Sequence, residues 1–170
     1  MDEHLQPVVD ALQARFGVAV HEYAGEVSLT VKADQIVEVC QSLRDDHAFE
    51  MLIDETAVDY YPEMEPRFHV IYQVYSMSKN IILCLRVPVD GTNPHLPTIE
   101  TVWAGANWYE REVFDMFGIL YDGHSDMRRI VMPADWQGHP LRKDYPLGYE
   151  EVQFTFNYED VQRRKPHPKE

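Results

Sequence analysis

The residues best suited to acid–base chemistry lie together in a predicted helix between residues 107 and 117. Glu110, Glu112 and Asp115 are carboxylates, and Arg111 lies among them. A general acid needs a carboxyl group that an apolar pocket keeps protonated, whereas a neighbouring guanidinium favours the ionised form. Arg111 also has the i,i+4 spacing to Asp115 that places an ion pair on one helix face. We therefore predict structural ion pairing here rather than catalysis.

Two histidines, His124 and His139, occur near several aspartates and have the residue types of a metal site. Both follow a glycine in a predicted loop, and no two histidines have helical i,i+3 or i,i+4 spacing. Hydrogen-bonded loop histidines are therefore favoured over metal ligands. Cys40 and Cys84 are far apart in apolar runs, so we expect buried reduced thiols and no iron–sulfur ligation within this chain.

Motifs that bind nucleotides or present a nucleophile are absent from the sequence. It contains no G-x-G-x-x-G, no G-x-x-x-x-G-K-[ST] and no G-x-S-x-G. The first two build phosphate-binding loops, and the third exposes a serine on a tight turn. We therefore expect neither a bound cofactor nor a catalytic set in this chain.

The formal net charge of the chain is -14, and it is unevenly distributed. Residues 1–126 hold 7 basic and 22 acidic residues, whereas residues 127–170 hold 8 and 7. Such acidity disfavours binding to nucleic acid or to an anionic membrane surface. The longest apolar runs are too short to span a bilayer, and the first residues are acidic, unlike a targeting segment. We expect a mature cytoplasmic protein.

Hydrophobic periodicity predicts helices and strands in the order α-β-β-α-β-β-β. The predicted elements are a helix over 5–16, strands over 18–23 and 26–31, a helix over 34–43, and strands over 49–53, 68–75 and 81–87. Gly17 is placed to end the first helix, and Asp34 to cap the second. This order predicts an α+β fold, a two-layer sandwich of helices on one face of a mixed or antiparallel sheet.

A further helix is predicted beyond the sheet, followed by a long extended C-terminal tail. Asn107 and Glu110 have the spacing of a capping pair, and Gly118 is placed to end this helix. Gly, Pro, His and Asp are frequent after it, although several large apolar residues remain. We therefore divide the chain into a core over 1–105, a linking helix over 106–118 and a partner-docking tail over 119–170.

Two blocks of sequence resemble the 30 kDa subunit family of respiratory complex I, the NADH-quinone oxidoreductase of respiratory chains. The first block spans residues 110–117 and continues through His124 to residues 128–131, and the second spans residues 135–147. Similarity also extends back through residues 54–60 and 67–72, so the resemblance covers roughly residues 30–147.

The resemblance implies a non-catalytic scaffold subunit in the peripheral arm of a proton-translocating NADH:quinone oxidoreductase. FMN, iron–sulfur clusters and quinone would be bound by partner subunits. The tail would pack on the large quinone-site subunit, of the 49 kDa type, and near its cluster-bearing neighbour. Membrane association would be peripheral, at the cytoplasmic face, and only through the complex.

The resemblance also assigns expected roles to individual residues. Glu110, Arg111 and Asp115 would fix the helix against the tail. His124, Arg128 and Arg129 would lie near the join. The residues expected to dock on the partner are Trp136, His139, Arg142, Lys143, Asp144 and Tyr145.

Two alternatives stay open at this stage. The chain could be the equivalent subunit of a related membrane-bound hydrogenase, or of a ferredoxin- or coenzyme-F420-dependent dehydrogenase. It could also be a free-standing metal-dependent hydrolase built on His124, His139 and the nearby aspartates.

Overall fold

The computed structural model describes residues 3–146 and 154–164. Within these residues it contains four α-helices and seven strands. The helices are α1 (Gln6–Phe16), α2 (Ile36–His47), α3 (Ala106–Phe117) and α4 (Tyr158–Arg164). The strands are β1 (Ala19–Tyr23), β2 (Glu26–Thr30), β3 (Met51–Asp59), β4 (Phe68–Ser76), β5 (Ile81–Val89), β6 (His95–Pro97) and β7 (Leu120–Asp122).

The central sheet has five strands in the order β1-β2-β5-β4-β3. Strands β2 and β5 are parallel, and every other neighbouring pair is antiparallel. Side chains of β4 and β5 alternate between the two faces, as the period of a strand requires. One face is buried along its whole length, with Tyr72, Leu83 and Leu85 fully covered. The predicted fold class, helices on one face of a mixed sheet, is confirmed.

The first helix ends as the sequence predicts, but the second begins differently. Gly17 adopts a left-handed conformation with φ of +66°, which a glycine reaches without steric cost. Before α2 the chain forms one turn of 3-10 helix over Ala33–Gln35, and the N-cap position belongs to Gln35 without a side-chain bond. The predicted cap by Asp34 is therefore wrong.

The third strand of the sheet is longer than the sequence predicts. It spans Met51–Asp59 instead of 49–53, and Phe49 is buried just before it. Its inward-facing positions include two acids, Glu55 and Asp59, which interrupt the apolar alternation that predicts a strand. This interruption explains why the prediction stopped early.

Strands β6 and β7 form a second, two-stranded parallel sheet that the sequence did not predict. Each has three residues, too few to show a period. They bring the chain after α3 back beside Pro97.

The chain beyond β7 is irregular, as the sequence predicts. Residues 123–146, called the tail segment below, contain no helix or strand. Residues 147–153 and 165–170 of the predicted tail lie outside the described residues. In the described part of the chain, no helix is both long and apolar enough to span a membrane.

Candidate functional site

The C-terminal end of α3 is joined to the tail segment through the carboxylate of Asp115. This side chain is completely buried. One oxygen accepts a hydrogen bond from the guanidinium of Arg129. The other accepts three backbone N–H groups, from Ile130 at 3.1 Å and from Val131 and Met132 at 2.8 Å each. A single carboxylate therefore fixes the backbone of three successive tail residues.

The position of Asp115 would be unfavourable without these donors. Burial raises the pKa of a carboxyl group, and the negative end of a helix dipole opposes an anion near the C-terminus. The donors outweigh burial, because the Met132 N–H, the Arg129 guanidinium and the other two N–H groups together hold the pKa of Asp115 below its ordinary value. The tail segment thus supplies the donors that compensate the buried charge of this carboxylate.

The tail segment also satisfies the last carbonyl groups of α3. The final turn of any helix leaves carbonyls without an intrahelical donor, and buried ones need another partner. Here that partner comes from three residues of the tail. The pairs are His139 Nδ1 with Asp115 O at 3.0 Å, Leu141 N with Met116 O at 3.1 Å, and Arg142 Nε with Phe117 O.

Gly118 permits this close approach of the tail to the helix end. Its φ of +73° lies in the left-handed region, which side chains disfavour. A Cβ atom at this position would lie 2.6 Å from both the guanidinium of Arg142 and the ring of His139. The glycine predicted to end the helix therefore has a second role, because it leaves room for two tail side chains.

A second attachment joins the end of the tail segment to the sheet. The buried guanidinium of Arg67 binds both oxygens of Asp59, at 2.9 and 2.8 Å, and both oxygens of Asp144, at 3.1 and 2.7 Å. The backbone N–H of Lys143 donates to Asp59 at 2.8 Å. Arg67 thus links one carboxylate of the core to one of the tail, with the fork geometry that suits arginine.

These contacts shift the pKa values of both Asp59 and Arg67. Burial alone would raise the pKa of Asp59, but hydrogen bonds from Arg67 and from the N–H groups of Lys143 and Tyr61 lower it to about 2. The two carboxylates raise the pKa of Arg67, despite the opposing effect of burial. The cluster therefore remains charged over the whole ordinary pH range.

The N-terminal half of α3 contains a buried carboxylate, Glu110, whose predicted capping role is wrong. Its oxygens accept hydrogen bonds from Thr98 Oγ1 at 2.5 Å and from Ile99 N at 2.7 Å, so they bind the preceding loop. The N-cap position belongs to Gly105 and has no side-chain bond. Asn107 instead donates to Glu100 and Ser125. The side chain of Glu110 faces the core, whereas the side chain of a capping residue lies at the end of the helix.

The ring of His124 is fixed in one tautomer by two backbone groups. Its Nε2 lies 3.1 Å from the carbonyl oxygen of Asn107, which can only accept, so Nε2 carries the proton. Its Nδ1 accepts the N–H of Asp126 at 2.9 Å. Both nitrogens are thus occupied, as expected of a hydrogen-bonded loop histidine. Among residues 3–146 and 154–164, no three His, Cys, Asp or Glu side chains are grouped so that they could hold a metal ion.

The ion pair predicted between Arg111 and Asp115 is wrong. Arg111 lies on the outer side of α3, where its Nε donates to the carbonyl of Arg128 at 3.1 Å and its guanidinium stacks on Trp108. Asp115 points inward and pairs with Arg129 instead. Helical spacing alone could not reveal that a longer-range arginine competes for the same carboxylate.

The remaining tail residues divide between an inner and an outer side. His139, Arg142 and Asp144, which were expected to dock on a partner, contact the chain's own helix and sheet. Tyr145 donates weakly to the Gln137 carbonyl at 3.4 Å. Of the tail residues that were expected to lie at the join or on a partner, Arg128, Trp136 and Lys143 are exposed, and the apolar Ile130, Val131 and Leu141 are exposed beside them.

Sequence reasoning missed Asp59 and Arg67 as members of this site. One signal was available, because Glu55, Ala57 and Asp59 share the inward phase of β3, where a strand normally places apolar residues. A charged residue at such a position needs a buried partner. The identity of that partner, Arg67, depends on the pairing of β3 with β4 and could not be derived locally.

We predict that Asp115→Asn weakens the folded state by about 2 kcal/mol or more, because the single amide oxygen of Asn can serve either Arg129 or the three backbone N–H groups, and its NH2 group then faces the other donors. Denaturant unfolding of the full chain would measure this loss, and limited proteolysis would show new cleavage near residues 130–132. Asp126→Asn, which removes an exposed pair with Arg128, serves as the matched control and should change little. Equal effects of the two variants would contradict the assigned role of Asp115.

We also predict an acid-sensitive contribution from Asp59. Its pKa is lowered in the fold, so its contribution of about 2 kcal/mol is present above about pH 4 and is lost as the pH falls towards about 2. The stability difference between the wild-type chain and Asp59→Asn should therefore shrink over that interval. A difference that stays constant from about pH 6 to about pH 2 would show that Asp59 is not preferentially ionised in the fold.

Comparison with known proteins identifies the family. A family model described as respiratory-chain NADH dehydrogenase, 30 Kd subunit, matches residues 29–151. A protein of Roseiflexus sp. (strain RS-1), named as a subunit of NADH-quinone oxidoreductase, is 48% identical over 151 residues, which cover 88% of this chain and 86% of the relative. A protein of the same name from Geobacter metallireducens is 47% identical over 128 residues, covering 75% and 79% of the two chains.

Solved structures agree with the sequence matches. The trypsin-resistant fragment (1-134) of Nqo5 superposes with a TM-score of 0.66 at 30% identity, covering 72% of this chain and 98% of the fragment. A chain of the archaeal membrane-bound sulfane sulfur reductase superposes with a TM-score of 0.74 at 18% identity and covers 99% of this chain and 97% of its own length, which shows a shared fold alone. The chain therefore belongs to the family of the 30 kDa subunit of respiratory-chain NADH dehydrogenase.

Proposed function

We propose that this chain is a non-catalytic scaffold subunit in the peripheral arm of a proton-translocating NADH:quinone oxidoreductase. Its relatives are named as subunits of that enzyme, and the similarity covers most of their length. The observation that carries the proposal is the two-sided construction of the tail segment. Several of its polar side chains hold it on its own chain, while the apolar Ile130, Val131, Trp136 and Leu141 are exposed.

The outward side has the composition of a protein interface. Ile130, Val131, Trp136 and Leu141 are 38%, 59%, 36% and 54% exposed. Such side chains in one irregular segment gain nothing from contact with water, and large apolar residues commonly supply the binding energy of an interface. We therefore assign this side to the large quinone-site subunit, with the cluster-bearing neighbour nearby.

Exposed cations lie at two places along the same segment. Arg128 pairs with the exposed Asp126, and the side chain of Lys143 is exposed. Cations beside an apolar patch favour a partner whose contact surface is apolar with acidic groups at its rim. Arg111, stacked on the exposed Trp108, extends this surface onto α3.

The acidic and basic residues that were candidates for catalysis or metal binding make structural contacts. Asp115 and Arg129 hold the tail segment, Glu110 holds a loop, and both ring nitrogens of His124 contact the backbone. We therefore propose that FMN, iron–sulfur clusters and quinone reside on partner subunits. Attachment to the cytoplasmic face of the membrane would then be indirect, through the complex.

The equivalent subunit of a related membrane complex is a second candidate function. The fold likeness to a chain of an archaeal respiratory membrane complex extends over 99% of this chain, including the region beyond the sheet. An equivalent subunit in a membrane-bound hydrogenase or a ferredoxin- or F420-dependent dehydrogenase would use the same two-sided tail. Partner identity separates the two candidates.

The test is affinity purification of the full chain from its native membranes in mild detergent, followed by mass spectrometry. The wild type should recover NADH dehydrogenase subunits, including the large quinone-site subunit. The double variant Val131→Glu, Leu141→Glu should recover at least about tenfold less of that large subunit, because burying carboxylates in an apolar contact is costly.

Ile82→Glu is the matched control, since Ile82 is 55% exposed on the opposite face of the sheet. It should recover the subunits at the wild-type level. Undiminished recovery by a folded double variant would contradict docking through the outer side of the tail. Recovery of hydrogenase subunits by the wild type would favour the second candidate, and recovery of no partner would overturn both.

A further inference from the structure

Two glutamates share the interior of the protein, where α3 packs on the sheet. Glu55 projects inward from β3 and is 2% exposed, and Glu110 on α3 is fully buried. Both are acidic side chains buried beside the apolar core cluster. A buried carboxylate is stable only if nearby donors or cations compensate the lost hydration. Glu55 and Glu110 differ in the number of hydrogen-bond donors that surround them.

Glu110 is well supplied with hydrogen-bond donors. Thr98 Oγ1 and Ile99 N donate to separate oxygens at 2.5 and 2.7 Å. The Nε2 of His124 lies 3.8 Å from the first of these oxygens. Two direct donors suit an ionised carboxylate, although burial still raises the pKa of Glu110 to about 7.

Glu55 has one donor among the described residues. Tyr121 Oη binds its Oε1 at 2.5 Å, and its Oε2 has no partner in the same part of the chain. The hydroxyl of Tyr72, buried on β4, does not donate to this oxygen either. A buried carboxylate anion with one oxygen that accepts no hydrogen bond is far less stable than the neutral carboxylic acid in the same place.

The described titratable groups that face Glu55 offer it no positive charge. These groups are Cys40 of α2, Tyr72 of β4, Glu110 of α3, Tyr121 of β7 and the adjacent Asp54 of β3. Around Glu110 the additional groups are Glu100 and His124, whose ring nitrogens contact the backbone of Asn107 and Asp126.

Two carboxylates that share a low-dielectric site cannot easily both ionise, and the better solvated one ionises first. Here the better solvated one is Glu110. Burial and repulsion from Glu110 raise the pKa of Glu55 well above its ordinary value, opposed by the Tyr121 hydrogen bond. Geometry and electrostatics thus agree on which residue keeps its proton.

We propose that Glu55 is a neutral carboxylic acid in the folded chain at neutral pH and that this proton keeps α3 packed on the sheet. An ionised Glu55 would face Glu110 across the interface of β3 and α3 with no cation from the described residues between them. Repulsion would then act on the helix whose far end carries Asp115 and the tail contacts. The proposal concerns the isolated full chain and stands independently of its partner.

The direct test is carbon-13 NMR of glutamate side-chain carboxyl groups in the purified full chain. At neutral pH the wild type should show, beside the half-titrated resonance of Glu110, one resonance with the chemical shift of a neutral acid, and that resonance should be missing from Glu55→Gln. The pH titration of the folded wild type distinguishes the two, because Glu110 loses its proton near pH 7. If no glutamate carboxyl other than one titrating near pH 7 keeps its proton at neutral pH, the proposal is overturned, whether or not the variant folds.

A thermodynamic test uses the same variant with Glu112→Gln as the matched control, since Glu112 is exposed on α3. A raised pKa in the fold stabilises the wild type below the ordinary pKa, and that stability is lost as the pH rises towards the raised value. The folding constant of Glu55→Gln relative to wild type should therefore increase about tenfold per pH unit between about pH 5 and about pH 7.

The relative folding constant of Glu112→Gln should stay flat over the same range, because the Glu112 side chain is exposed to solvent in the fold. Taking ratios to the wild type also cancels the contributions of His47, His69 and His139, whose pKa values burial lowers. A flat ratio for Glu55→Gln would mean that Glu55 is ionised in the fold, which contradicts the proposal.

Discussion

The conformation of the tail depends on one buried charge, the carboxylate of Asp115. Burial and the helix dipole both disfavour an anion at this end of α3, so the fold tolerates it only with strong donors close by. All of those donors come from Arg129 and the next three residues. Helix and tail therefore form a single cooperative unit, in which neither satisfies its polar groups without the other.

This constraint explains how an irregular segment becomes a defined surface. Between Asp122 and the Arg67 cluster the chain has no strand or helix to order it, and its backbone groups bind the end of α3 and the sheet instead. Met127 and Met132 pack against the core, whereas Ile130, Val131, Trp136 and Leu141 are left exposed on the outer side. A scaffold subunit needs this property, since a preordered segment loses less conformational entropy when it binds.

The parts of the fold that follow local rules were predictable from sequence. The α1 helix with its Gly17 stop, the β1–β2 hairpin and the alternating strands β4 and β5 appear as expected, because periodicity and glycine conformation act over a few residues. The capping pair at Asn107 and the pair between Arg111 and Asp115 were wrong for one common reason. In both cases a partner distant in sequence, the Thr98 loop or Arg129, took the side chain.

The central claim is that the chain orders its own tail before any partner binds. Hydrogen exchange of the isolated wild-type chain tests it most directly, read at the amides of Val131, Met132 and Leu141, which donate to Asp115 and to Met116 O. The account predicts that these amides exchange much more slowly than those of an unstructured peptide, on the timescale of the surrounding core. Exchange at the unstructured rate would contradict it and would mean that the partner, and not Asp115, orders the tail.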